Sequence, residues 1–282
     1  MKALALALLT VLVAPPARPC ASCQTGDPTL TAFGTERGYD DRVRVAVDLR
    51  SRTDRIGDGD DRVAIDELRS ELGLAWAPTD WFFVQLATPL IVRWLSYADA
   101  ARELVLGVGD VALRTRWSLG DVSLTLGVTL PTAPTLVRQG TRLPLEAQLG
   151  SGSFDPSLGL AWSTSLRPWA LHLSAFATYP TGDANPSLRL AAFVQYEAWR
   201  QAEHALALRL ALDARVDGHA HDGARVEPDS GGTIGFIGGD LVASPASDWT
   251  VTLGVHVPVV EALVGAHHEG VVWAASLAYD LQ

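Results

Sequence analysis

The sequence predicts an all-β chain, a transmembrane antiparallel up-and-down β-barrel of about 12 strands. Three observations predict it. Apolar and polar residues alternate with a period of two in segment after segment beyond residue 40. The segments are long for strands. The connections between them are alternately short and long.

The alternation is plain from the first segment, where residues 42–50 read R-V-R-V-A-V-D-L-R. Successive side chains of a strand point to opposite faces. Val43, Val45, Val47 and Leu49 therefore share one face, and Arg42, Arg44, Asp48 and Arg50 share the other. The pattern recurs over residues 64–77, 81–95, 104–119, 121–131, 157–167, 169–180, 187–199, 204–217, 232–244, 248–258 and 270–281. Each segment has about ten residues or more, the length a tilted strand needs to cross a bilayer, whereas strands of soluble proteins average about five or six. No internal stretch runs twenty apolar residues without a charge, so transmembrane helices are excluded.

The short connections are Trp76-Ala-Pro-Thr-Asp-Trp81, Gly120-Asp121, Arg167-Pro168, Arg200-Gln-Ala-Glu203 and Ser244-Pro-Ala-Ser-Asp248. Longer ones, over residues 54–63, 96–103, 132–156, 181–186, 218–231 and 259–269, lie between them. Outer-membrane barrels segregate tight periplasmic turns from longer external loops in this way. Trp76, Trp81, Trp117, Trp169, Trp199 and Trp249 stand beside the short turns, and Tyr279 falls on the same rim. Amphipathic rings settle at the headgroup level, so this clustering marks a membrane interface.

The N-terminus reads as an export signal: Met1-Lys2, an apolar run from Ala3 to Ala14, then Pro15, Pro16 and Pro19. The expected organisation is a signal peptide over 1–22, a periplasmic tail over 23–40 and an outer-membrane barrel over 41–282. Cys20 and Cys23 are the two cysteines of the chain. No His follows the C-x-x-C pair, so it is not a haem attachment site, and one pair supplies too few ligands for structural zinc. A local disulfide, lipidation, or no role beyond the tail remain open. The net charge of -10 argues against a nucleic-acid partner, which requires a basic surface.

With the apolar face in lipid, the polar face must meet something wet or a compensating charge. The side chains expected to line the lumen are Arg44, Asp48, Arg50, Glu67, Arg69, Glu71, Arg114, Arg116, Arg189, Glu197, Arg209, Asp213 and Arg215, with Arg42 and Asp110 on the same face. A barrel of this size holds either a narrow wet channel or a plug of charged side chains.

Residues 20–36, C-A-S-C-Q-T-G-D-P-T-L-T-A-F-G-T-E, resemble the mature N-terminus of bacterial outer-membrane proteins loosely described as transporters. Leu130-Pro-Thr-Ala-Pro134, Tyr179-Pro-Thr-Gly182 and Pro228-Asp-Ser-Gly-Gly232 are similar to strand-end elements of the phenol-degradation-pathway channel family. The resemblance implies an outer-membrane barrel with a transport role, and it carries no ligand or catalytic residue. The chain departs from common barrel practice in ending Tyr279-Asp-Leu-Gln282, without a terminal aromatic.

No catalytic set emerges. G-x-S-x-G and H-E-x-x-H are absent, and the Gly-rich run 231–239 lacks the Lys of a phosphate loop. His219, His221, His267 and His268 lie in two long connections with acidic neighbours, a weak metal pattern set against the simpler reading of solvated loops. No enzyme activity and no cofactor are expected. The expected partners are outer-membrane lipid, the barrel-assembly machinery and a small solute of unknown identity. The expected function is passive diffusion of that solute through a charged lumen. The alternative is a closed structural or anchoring barrel with a periplasmic partner.

Overall fold

The computed structural model describes residues 41–59, 62–97, 102–138, 141–142, 148–222, 225–226 and 230–281. The expected signal peptide and periplasmic tail, with Cys20 and Cys23, lie outside the described residues.

The strands in chain order are β1 (Arg42–Ile56), β2 (Val63–Thr79), β3 (Phe82–Tyr97), β4 (Glu103–Val108), β5 (Val111–Leu119), β6 (Val122–Leu130), β7 (Val137–Arg138), β8 (Thr141–Arg142) and β9 (Asp155–Leu166). They continue with β10 (Trp169–Thr178), β11 (Ser187–Gln201), β12 (His204–Asp217), β13 (His221–Asp222), β14 (Arg225–Val226), β15 (Gly232–Ala246), β16 (Trp249–Leu263), β17 (His267–Glu269) and β18 (Val272–Leu281). The pairs β7–β8 and β13–β14 are small hairpins within long connections. The other strands pair antiparallel, β4 and β5 both with β3, β17 with β1, β16 with β18, and β1 with both β2 and β18. The sheet is thus closed. Counting β4 with β5, and β17 with β18, as single interrupted strands gives a 12-strand barrel among the described residues.

Closure satisfies the backbone of every barrel strand from its neighbours, which an open sheet in hydrocarbon could not do. The outward face is apolar: Leu72 and Leu74 on β2, Leu158 and Leu160 on β9, and Leu208, Leu210 and Leu212 on β12 are all exposed. Trp76, Trp81, Trp169, Trp199 and Trp249 are exposed at the short-turn rim. Two of these rings lean on tyrosines across the strand pair, Trp169 on Tyr196 at 4.8 Å and Trp249 on Tyr279 at 4.6 Å between centroids. Leu210 stands near the middle of β12 and is 56 % exposed on this face. Leu210→Arg is expected to lower stability by about 2–4 kcal/mol, the cost of a cation at mid-bilayer. Reversible urea unfolding in lipid vesicles measures it, and an unmoved midpoint would take this face out of hydrocarbon.

Two strand interruptions shape the long-loop end. Pro89 has no N–H for the ladder, and opposite it the β4–β5 strand breaks at Gly109-Asp110, with Gly109 N donating to Pro89 O at 2.8 Å. A Cβ at Gly109 would lie 2.9 Å from both Leu149 O and Pro89 Cγ, so only glycine fits there. The break shifts the inward positions from odd residues (Val105) to even ones (Ala112, Arg114, Arg116). The last strand breaks similarly at Gly270-Val271.

One sequence expectation needs correction. Residues 259–269 were expected to form a loop, but β16 runs on to Leu263 and β17 occupies His267–Glu269. Pro258 suggests a strand end. It sits instead at a bulge, where Gly235 pairs with Val260 and Phe236 with Pro258, leaving Val259 as the extra residue. A bulge is where a sheet tolerates proline. His267 and His268 are therefore strand residues on opposite faces.

Candidate functional site

The site is the lumen, built from alternate residues of each barrel strand. The thirteen charged residues singled out from the sequence project from the inward-facing positions, and the structure groups them at three levels.

Near the short-turn end, Arg44 binds Asp280 in a fork, Nε to Oδ1 at 2.6 Å and Nη2 to Oδ2 at 2.7 Å. These residues face each other across the β1–β18 seam. Glu197 pairs with Arg200 at 2.5 Å beside the β11 bulge.

At mid-height, Arg209 reaches Asp240 at 3.3 Å and Gln195 at 3.0 Å, and lies 4.7 Å over the Phe193 ring. His256 faces Asp213 through Nδ1 at 3.0 Å and Asp240 through Nε2 at 3.1 Å. The side chains of Arg209 and His256 are each only 2 % exposed, so water-sized space beside them is nearly absent. Glycine makes room for this cluster: a Cβ at Gly238 would collide with the His256 ring, and one at Gly254 with Asp240 Oδ1. Arg116 lies 4.7 Å over Phe83 and Arg114 5.9 Å over Phe176. His172 stacks on Phe193 at 4.6 Å and meets Ser163 at 2.8 Å. Asp48 and Arg50 are buried on β1, while Arg69 pairs with Glu71 at 3.3 Å.

At the long-loop end the lumen widens into a vestibule, a cavity of about 470 Å³ lined by residues including Arg52, Asp54, Arg69, Arg93, Arg189, Arg215, Asp217, His267 and Glu269. Glu67 joins Arg93 at 2.5 Å and Arg52 at 3.2 Å. Arg215 joins Asp217 at 2.5 Å and also pairs with Glu269. Among the described residues, five arginines against three carboxylates line this cavity, a positive excess on that part of its wall.

Of the 131–154 connection, Gln148, Leu149, Gly150 and Ser151 line the vestibule. Leu149 packs against the inward-facing Ile65, Ile91, Leu95 and Val105, forming an apolar cluster inside the barrel. Arg93 Nη1 donates to Gln148 O at 2.8 Å. Asp110, exposed to this connection by the strand break, accepts from Ala133 N at 2.9 Å through Oδ1 and from Ser151 N at 2.7 Å through Oδ2. Asp110→Ala would strand two backbone donors, each worth about 1–3 kcal/mol when buried and unpaired. The expected outcome is faster proteolysis within 131–154 while the barrel stays intact; an unchanged cleavage rate would show that the apolar cluster alone holds the segment.

Of the four histidines in the weak metal pattern, His219, His267 and His268 do not converge. His219 meets Ser230 O at 2.8 Å, and His268 meets Glu261 at 3.2 Å on the exposed face. The His221 side chain lies outside the described detail. His267 turns inward beside Asp54 and Glu269.

Several residues of the barrel interior were not among those expected from the sequence. His256 and Asp280 stood on the polar faces of their strands, and Asp240 was masked by the neighbouring glycine run. Arg52 lies within the expected first strand, over 42–53, but was not singled out, and Asp54 continues its alternation one residue past that end. Arg93 was hidden because both faces of outer β3 are apolar.

The barrel superposes on the crystal structure of an outer-membrane channel from Pseudomonas putida F1 with a TM-score of 0.67, at 14% identity, covering 92% of this chain and 100% of that one. The fold is that of an outer-membrane channel. It is also similar to the β domain of the Bordetella autotransporter Brka, with a TM-score of 0.51, 13% identity, and coverage of 86% of this chain and 100% of that one. At this identity the likeness shows the barrel fold and no cargo, and the two neighbours differ in what their barrels serve. Neither is described as an enzyme. No protein-family model matches the sequence, and no curated protein matches it.

Proposed function

We propose that this barrel is a passive channel for a small polar solute, admitted through the vestibule and filtered by the charged lumen. The observation that carries the reading is the vestibule itself, a polar cavity of about 470 Å³ whose walls carry more arginine than carboxylate. A charged, low-dielectric cleft concentrates ions of opposite sign, so an anionic or electron-rich solute is favoured at the mouth. Passage further in runs between side chains rather than through an open tube, because the Arg209–Asp240–His256–Asp213 cluster fills mid-height. Selectivity then follows from rings of side-chain charge.

The nearly dry mid-lumen also supports a second reading, a closed anchoring barrel. Single-channel recording in planar bilayers separates the two. Small, resolved steps with a measurable ion preference support the channel. A folded, inserted and electrically silent protein supports the closed barrel and removes the transport proposal.

A further inference from the structure

Asp54, on β1, and Glu269, on β17, are direct cross-strand partners, and His267 lies two residues before Glu269 on the same inward face. One donor atom from each of the three lies within 4.8 Å of the others. Asp54 and Glu269 have side chains only 7 % and 3 % exposed.

Their hydrogen bonding is incomplete in a directed way. Asp54 Oδ2 is held by Arg52 at 3.4 Å, but the buried Oδ1 has no hydrogen-bond partner among the described residues. Neither ring nitrogen of His267 has one. Buried polar atoms are normally satisfied, so such exceptions point to an absent partner. The two unsatisfied atoms face each other, His267 Nε2 lying 3.7 Å from Asp54 Oδ1. That is too long for a hydrogen bond. It is close to the separation of two atoms bound to one cation, about 3.4 Å for ligands about 2.1 Å from tetrahedral Zn²⁺.

We propose that Asp54, His267 and Glu269 form a divalent transition-metal site, of the Zn²⁺ class, in the wall of the vestibule. An imidazole with two carboxylates suits zinc and its late first-row neighbours better than Mg²⁺ or Ca²⁺, which take all-oxygen sites. The cavity beside the site has room for the hydrated ion and for water as a further ligand, while the arginines on its wall oppose the entry of a cation and lower the affinity. Arg52 orients the Asp54 carboxylate through its second oxygen. Arg215, paired with Glu269, competes with the metal and keeps the affinity moderate. Glu269 yields an oxygen by shifting its Arg215 contact toward Asp217, which Arg215 already holds. The site fastens β17 to β1 across the barrel seam, and it requires no passage of solute.

The test is Zn²⁺ titration of the tag-free full chain in detergent by calorimetry. One ion per barrel is expected. His267→Ala and Asp54→Asn should each weaken binding at least about tenfold, the scale on which metal-site changes act. His268→Ala, and Cys20→Ser with Cys23→Ser, should leave it unchanged. No saturable binding, or binding that survives both site variants, overturns the proposal. Should the variants fail to fold, X-ray absorption of the zinc-loaded parent chain decides: one imidazole with carboxylate oxygens supports the site, and thiolate ligation or oxygen alone overturns it. Because binding is read without transport, an electrically silent barrel leaves this site standing.

Discussion

Arg44→Ala is expected to lower the unfolding free energy by about 3–5 kcal/mol, the usual penalty for orphaning one member of a buried ion pair. Arg44 is 3 % exposed and Asp280 9 %, and their fork bridges the strands that close the barrel, β1 and β18. Removing the guanidinium leaves the Asp280 carboxylate facing a low-dielectric interior at the seam that closes the barrel. Arg44→Leu combined with Asp280→Leu removes both charges and should recover most of the loss, since paired apolar replacements are often neutral. Urea unfolding in vesicles measures both, and the heat-dependent gel mobility of barrels gives an independent check. A single-variant loss below about 1 kcal/mol, the range of exposed pairs, would mean that this end of the lumen is fully hydrated.

Most of the architecture was legible because a membrane barrel imposes one rule on every strand. In β12, Leu208, Leu210 and Leu212 must face hydrocarbon while Arg209, Asp213 and Arg215 must face inward. Period two therefore reports both secondary structure and placement. Legibility failed where that rule lapsed. Outer β3 carries Ile91 and Leu95 on its inward face because Leu149 plugs the lumen there, so two apolar faces concealed Arg93. Pro258 imitated a strand end because a bulge and a terminus tolerate proline for the same reason, a missing ladder bond. The site was legible as a set of charges but not as pairs. Arg44 with Asp280, or Arg215 with Glu269, meet only after the sheet closes, and nothing in the spacing of residues 44 and 280 announces it.

Neutralising the mid-lumen cluster should produce the largest functional change. Arg209 sits between Asp240 and Gln195, directly over Phe193, and its bulk occupies the narrow part of the lumen. Arg209→Ala removes volume and one positive charge together, leaving Asp240 and Asp213 beside His256. A unit charge acts on an ion about 8 Å away with about 0.5 kcal/mol even through water, so losing a cation favours cations and disfavours anions by that amount each, roughly a fivefold rise in their permeability ratio. Asp240→Ala removes three heavy atoms against six for Arg209→Ala, so it widens the lumen less, and it has the opposite sign, shifting preference toward anions. Arg209→Ala with Asp240→Ala should raise conductance with little change in selectivity. The three variants therefore separate width from charge: conductance rises in all, while the reversal potential under a salt gradient moves one way, the other way, or hardly at all. Reversal potentials that coincide across the three would mean that ions bypass Arg209, and the path through the barrel would have to be drawn along another wall.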